Sequence, residues 1–451
     1  MTTLLAYVVT FGILVTFHEL GHYTVARLCG VKILRFSIGI GKVIFSRRFG
    51  RDQTEWVISM LPLGGYVQML DGRDQDLSTV TEDDLKREFT RKSVWRRFAI
   101  VAAGPGANFL LAILLICGLY MYGVPDYVAR MNVVPQQTEA YNAGLRGGEL
   151  ITAANGNQIR SWSDLQWNIV QSALEKKSLT LEFDKPATDG HGAMLHDSAT
   201  VNLTGVSSKD MEGDFMHQLG LELARPKAII QKVVAASPAM RAGLMEGDFI
   251  VSVDDKPVPD QLEIRKLILA APEKNLRLTV LRSGGEVKLV VIPDAVKSGE
   301  KAYGQIGVQF LSPERTTVSY GPFDALRKGV TWTVDRAILQ VKLIGKMIIG
   351  QLSWKNISGP WTIADIAEQT ASMGLVPYLT FIAGISISLG IMNLLPIPVL
   401  DGGLLLYYSL EVLTGRPVSA RIGEIAQRAG IGILMMLMLV AVFNDVARHL
   451  T

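Results

Sequence analysis

His18-Glu19-Leu20-Gly21-His22 sets two imidazoles and a carboxylate at spacings that suit a zinc-dependent hydrolase. Two histidines four apart on an α-helix lie about 40° apart around the axis and roughly 6 Å along it, so both can grip one ion. Glu19, beside the first, is placed to take a proton from water at that ion. The setting separates this string from a chance copy on a surface helix. Leu4–Phe17 is almost wholly apolar, and the next strong charge after His22 is Arg27. Ionisable groups at bilayer depth are costly and point to a function with partners nearby. A secretory signal peptide fits poorly, because Met1–Tyr7 carries no Lys or Arg and no small-x-small cleavage site follows.

Catalytic zinc takes three protein ligands and leaves a fourth position for water. Cys29 and Cys117 lie in or beside apolar segments and give neither a disulfide framework nor a thiolate cluster. His191, His196, His217 and His449 fall outside the apolar segments and are poor candidates. The run Asn393-Leu394-Leu395-Pro396-Ile397-Pro398-Val399-Leu400-Asp401-Gly402-Gly403 is better placed. Its two prolines break a helix at membrane depth and free backbone groups that protein or water must satisfy. Asp401 follows the break, and Gly402 and Gly403 allow close backbone approach. Another reading makes Asp401 the N-cap of a helix over Leu404–Leu413; one carboxylate can cap and ligate at once.

These groups must be positioned by membrane elements. The chain has 451 residues, 49% hydrophobic and 19% charged, a mixture that suits membrane spans joined to water-soluble modules. A net charge of +3 does not argue for nucleic acid. Four stretches read as spans, Leu4–Ala26, Phe98–Tyr122, Leu375–Leu395 and Gly430–Val446. The loop between the first two is rich in Lys and Arg, from Arg27 to Arg97, which marks it as cytoplasmic. His22 then lies toward the cytoplasmic leaflet, about 7–8 Å of helix rise from Arg27. A further apolar stretch, Val330–Gly350, carries Arg336, Lys342 and Lys346 and reads as an amphipathic helix at the outer interface. With four spans, the third delivers Asp401 to the cytoplasmic side, where the histidines are; with five it would emerge on the other face.

HExxH in the first span and N-x-x-P-x-P-x-L-D-G in a late one resemble the site-2 protease family of intramembrane metalloproteases. The likeness runs nearly end to end. It includes Arg35–Gly41, Leu61-Pro62-Leu63-Gly64-Gly65-Tyr66-Val67, and Ala103-Gly104-Pro105-Gly106-Ala107-Asn108-Phe109 in the second span. The resemblance implies His18, His22 and Asp401 as zinc ligands, Glu19 as general base, and Asn393 as a polar contact for the substrate backbone. Glu55–Leu61 and Tyr66–Leu70 are β-prone runs around Leu63-Gly64-Gly65, a hairpin signal. In the family this region forms a sheet that dips into the membrane beside the zinc. Its edge at Gly64, Gly65, Tyr66 and Met69 would pair with an unwound substrate through main-chain hydrogen bonds.

Outside the spans, Ala143–Ile151 (AGLRGGELI) recurs as Ala242–Ile250 (AGLMEGDFI), and Leu219–Leu223 recurs as Ile306–Phe310. A repeat of roughly 90–100 residues means two tandem domains rather than a solenoid. Each resembles a bacterial PDZ domain. The first departs from that pattern with Glu149 for the usual Asp and a polar insertion at His191–Ser198. The modules read as a filter that meets the outer part of a substrate, ahead of a specific peptide receptor.

The expected fold is therefore a polytopic α-helical membrane protein with four transmembrane helices, a membrane-associated β-hairpin or sheet, and two α+β PDZ domains. The order is 1–28, first span; 29–97, cytoplasmic loop with the re-entrant hairpin; 98–124, second span; 125–224 and 225–311, the PDZ modules. Then come 312–373, interfacial and periplasmic; 374–403, third span; 404–429, cytoplasmic loop; 430–451, fourth span and C-terminus. The resemblance implies Zn2+ as cofactor and a bacterial inner-membrane location. It places both termini and the PDZ modules in the periplasm, with the active site toward the cytoplasmic leaflet. The implied substrates are single-span membrane proteins already trimmed outside the bilayer, among them anti-sigma factors and remnant signal peptides. Two other classes fit some of the same residues: a non-catalytic scaffold presenting PDZ modules, and a metal-ion transporter.

Overall fold

The computed structural model describes residues 2–73, 75–78, 80–186, 194–206, 214–258, 260–298 and 301–450. His191, in the expected polar insertion, lies outside them. The chain divides into two units, Met1–Val124 with Ser319–Thr451, and Pro125–Val318.

Among the described residues of the first unit four helices are long and apolar enough to cross a membrane, over Thr3–Leu28, Val94–Tyr122, Leu375–Leu394 and Arg421–Arg448. A twenty-residue helix rises about 30 Å, the thickness of a bilayer's hydrocarbon core. The longer helices of this unit are α1 (Thr2–Leu28), α2 (Val94–Tyr122), α3 (Pro322–Ile348), α4 (Pro360–Met373), α5 (Leu375–Leu394), α6 (Asp401–Thr414) and α7 (Ala420–Leu450). Two of them start before their apolar stretch does. The first turn of α2 carries Arg96 and Arg97, and Arg97 pairs with Glu411 at 2.6 Å and lies 4.9 Å from the Tyr408 ring centre. Outward faces stay apolar, with Leu439 and Phe443 of α7 exposed, as a lipid-facing surface requires.

Helices α1, α2 and α5 meet at Leu14, Leu111 and Ile382. Between helices in lipid, close packing replaces the hydrophobic drive, so small residues mark the crossings. A Cβ on Gly21 would lie 2.2 Å from the Ala103 carbonyl oxygen and 2.7 Å from the Ala107 Cβ. The amphipathic helix α3 packs along α2, where a Cβ on Gly329 would lie 2.8 Å from the Ile113 oxygen. Trp332 joins Ala112, Ile116, Ile387 and Ile391 in a second cluster. Of the charges that argued against spanning, Arg336 stacks 3.8 Å from the Trp332 ring centre. The Gln340 side chain accepts from Ser388 of α5 at 3.0 Å.

Strands β1 (Ile33–Phe49) and β2 (Thr54–Met69) form a two-strand sheet with a broken register. The expected pairing of Glu55–Leu61 with Tyr66–Leu70 does not occur. Instead Phe36 faces both Trp56 and Val67, and Ile38 faces both Ile58 and Gly65, so the start of β1 lies between the two halves of β2. The outer half of β1 folds back on the other side of Trp56, with Arg47 opposite it. The turn sits at Gly50–Gln53, where Gly50 and Gln53 both take positive φ. Aromatic contacts hold the layers, with Tyr23 of α1 5.5 Å from Phe36 and 5.1 Å from Trp56, centre to centre.

In the second unit the sequence repeat is a structural repeat. Strands Leu150–Ala154, Asn157–Gln158, Leu179–Pro186 and Met194–Val201 carry helix Trp162–Leu174. Strands Phe249–Val253, Lys256–Pro257, Leu276–Arg282 and Gly285–Val291 carry helix Gln261–Leu269. Both sheets have four strands in the order second, first, third, fourth. Their cores use matching positions: Leu145, Ile151, Leu165, Ile169 and Leu181 correspond to Leu244, Ile250, Ile264, Ile268 and Leu278. Glu149 performs the local task of Asp248, accepting from the backbone N–H groups of Arg146 and Gly147 at 2.7 and 2.8 Å.

Candidate metal centre

His18 and His22 occupy successive turns of α1 and turn their Nε2 atoms toward each other, 3.2 Å apart. Asp401 closes a triangle, its Oδ2 lying 3.2 Å from His18 Nε2 and 3.5 Å from His22 Nε2. Tetrahedral zinc with bonds of about 2.0–2.1 Å separates its ligand atoms by about 3.3 Å. The triangle has the dimensions of one face of that tetrahedron. Two imidazoles and a carboxylate are also the donor types of catalytic zinc sites. Among the described residues this is the one group of three such side chains placed to hold an ion.

Each imidazole is fixed from behind. His22 Nδ1 faces the carbonyl of Ile100 at 2.9 Å, and His18 Nδ1 faces the Asn108 side chain at 3.1 Å. Gly104 of α2 lies under both rings, where a Cβ would come within 2.2 Å of His22 Nε2 and 2.8 Å of His18 Cε1. Asp401 is the first residue of α6, and its carboxylate turns to the histidines instead of capping the helix. The cap position belongs to Leu400, so the helix begins three residues before the expected Leu404. The segment ahead of it is tightly coiled. A Cβ on Gly402 would lie 2.2 Å from the Leu395 oxygen, and Val399 takes φ +146°, a strained value for a β-branched residue.

Glu19 is buried, 8% exposed, on the sheet side of α1. A Cβ on Gly65 would stand 2.8 Å from Glu19 Cγ and 2.7 Å from the Ser37 oxygen, so this strand presses directly on the acid. Gly64, with φ +156°, precedes it in a backbone region that favours glycine. The Tyr66 hydroxyl accepts from Arg35 at 3.2 Å. Met69 is less free than the edge reading supposed, because it packs into the cluster of Ala26, Ile33 and Ile100. Asn393 is half-buried in the last turn of α5. Sequence reasoning quoted the Gly104–Asn108 run but gave it no task; a buried Asn in an apolar helix was the available signal.

The family model described as Peptidase family M50 matches residues 6–437. The chain belongs to peptidase family M50. A protein of Ralstonia nicotianae provisionally named a zinc metalloprotease is 38% identical over 465 residues, 99% of both chains. Regulator of sigma-E protease RseP of Escherichia coli is 36% identical over 452 residues, 99% of this chain and 98% of its own. RseP of Salmonella typhimurium is 36% identical over 453 residues, with the same coverage. M50 membership bears out the resemblance to the site-2 proteases and makes the chain a membrane zinc metalloprotease. It does not favour the scaffold or the transporter.

Proposed function

We propose that His18, His22 and Asp401 hold Zn2+ and that the enzyme hydrolyses a peptide bond within the membrane segment of single-span proteins. The observation that carries this reading is the ligand triangle of zinc dimensions, flanked by Glu19 and set among membrane-length apolar helices. Bound zinc supplies Lewis acidity, lowering the pKa of a water to about 7 and polarising the scissile carbonyl. Glu19 takes the proton of the attacking water and returns it to the leaving amine. The contact of its Cγ with the Gly65 strand supports a role for that carboxylate beside the substrate edge.

A transmembrane helix hides its carbonyls in internal hydrogen bonds and must unwind before attack. The edge from Gly64 to Met69 offers an unwound segment a partner strand, and Asn393 offers it a side-chain amide. Relatives named regulator of sigma-E protease support anti-sigma factors as substrates, with remnant signal peptides a second class. The proposed topology has four spans in the bacterial inner membrane, with both termini and the tandem modules periplasmic. The excess of Lys and Arg between Arg27 and Arg97 supports it. The modules, proposed as PDZ domains over 125–224 and 225–311, act as a filter against substrates with bulky outer parts.

The test compares wild type with Glu19→Gln in liposomes on a single-span substrate trimmed outside the membrane. Loss of cleavage by at least about a hundredfold, with zinc retained, is expected for a general base. Equal cleavage by the two proteins sinks the mechanism.

A further inference from the structure

We propose that Asn108 is the positioning residue that holds His18 in the tautomer able to bind zinc, an inference resting on His18, His22 and Asp401 as ligands. Asn108 is fully buried, 0% exposed, one turn beyond Gly104 in α2. Its Nδ2 lies 3.1 Å from His18 Nδ1, the ring nitrogen turned away from the ligand triangle.

A neutral imidazole carries one N–H, and the nitrogen that bears it cannot bind a metal. His18 Nε2 points into the triangle, 3.2 Å from both His22 Nε2 and Asp401 Oδ2. Ligation through Nε2 therefore puts the His18 proton on Nδ1, where it needs an acceptor. For His22 the acceptor is the Ile100 carbonyl, a backbone group that no substitution removes. For His18 the Asn108 Oδ1 serves once the carboxamide is turned over from the orientation in the structure, in which Nδ2 faces the ring. With Nδ2 toward the ring, as the structure sets it, Oδ1 is left buried with no partner among the described residues. That orientation also sends the His18 proton to Nε2, against the ion. An unpaired buried amide oxygen is costly, so carbonyl-to-ring is the orientation that suits the zinc-loaded site.

The backbone that carries this amide is anchored to α5. Ser386 of α5, also fully buried, donates its hydroxyl to the Asn108 backbone oxygen at 2.7 Å. Asn108 thus links α1 through its side chain and α5 through its backbone oxygen. Outer partners of this kind fix ring orientation and raise ligand basicity.

The experiment measures the zinc dissociation constant of the purified full-length protein in detergent by chelator competition, with the melting temperature of the stripped protein recorded alongside. Asn108→Leu keeps the bulk and removes the acceptor, and zinc binding is expected to weaken by about 10- to 100-fold. Its stripped form should melt at or above the wild-type temperature, since an apolar group replaces a buried amide. Asn108→Asp keeps an acceptor and should bind zinc within about threefold of wild type, or more tightly. Wild-type affinity in the Leu variant overturns the proposal. So does an Asp variant that melts normally yet binds as weakly as the Leu variant. His18→Ala separates the two readings. Wild-type zinc affinity there means that the ligand set itself is wrong, whereas loss there with none in Asn108→Leu removes only the positioning role.

Discussion

Gly104 gives the proposed metal site its floor, and the contact distances say what a single methyl would do there. A Cβ at this position stands 2.2 Å from His22 Nε2, inside any permitted contact. Alanine is a better helix former than glycine, so Gly104→Ala should not weaken α2 itself. The expected outcome is loss of zinc, by at least about tenfold in affinity, with the stripped protein melting near wild type. Metal analysis after dialysis against a weak chelator checks it. Asp401→Ala should lose zinc as well, through a missing ligand; unchanged metal content would remove Asp401 from the set. His18, Glu19, His22 and Asp401 were legible in the sequence because their residue types and spacing are costly in apolar segments. Gly104 and Asn108 were visible as letters without a task. Nothing in a linear string says that α2 passes within a methyl's width of two imidazoles.

At the scale of elements, the sheet is where sequence reasoning and structure part. Glu55–Leu61 and Tyr66–Leu70 were legible as strands, and the Leu-Gly-Gly between them looked like a turn. The chain does reverse there, since Phe36–Ile38 faces 56–58 in rising order and 65–67 in falling order, but the start of β1 inserts between the two runs and keeps them from pairing. Local turn chemistry cannot reveal such an insertion, because it depends on a pairing with residues about twenty positions earlier. The consequence is an edge at Gly65 that faces Glu19. Gly65→Ala would push a methyl into Glu19 Cγ and the Ser37 carbonyl. Overpacking of this kind costs about 1–3 kcal/mol, so cleavage should fall by about tenfold or more. Zinc content should stay unchanged, which distinguishes this variant from Gly104→Ala; zinc loss would place Gly65 in the metal site instead. In the second repeat module Asp248 offers a pH test. Burial pushes its carboxyl up, but hydrogen bonds from Arg282 at 2.7 Å and from the Met245 N–H at 2.9 Å outweigh it and hold the group below its ordinary value. A depressed folded value stabilises fully above the unfolded pKa of about 3.9 and is lost as pH falls through the folded one. Arg282→Met should therefore raise hydrogen exchange over residues 249–291 at pH 6 and narrow the difference from wild type near pH 3. Unchanged exchange at pH 6 would mean that the pair contributes nothing.

The whole molecule combines a membrane unit holding every candidate site residue with an inserted unit, Pro125–Val318, that holds none. The repeat was legible because Ala-Gly-Leu recurs with a carboxylate at a fixed distance, and the two sheets share one strand order. Glu149 stands in the first copy where the pattern has Asp; its carboxylate still accepts two backbone N–H groups, so the turn survives. What the inserted unit does for the enzyme follows from which chemistry it lacks. If it were needed for hydrolysis, its removal would abolish cleavage of every substrate. If it filters, removal should leave trimmed substrates cleaved and admit untrimmed ones. Joining Val124 to Ser319 through a flexible linker of about twenty Gly and Ser residues, with a mean reach of about 25 Å, makes the comparison. Zinc retention shows that the membrane unit has folded. The ratio of untrimmed to trimmed cleavage is expected to rise at least about tenfold, a shift of about 1.4 kcal/mol in discrimination. An unchanged ratio with zinc retained would overturn the filter and return discrimination to the membrane helices.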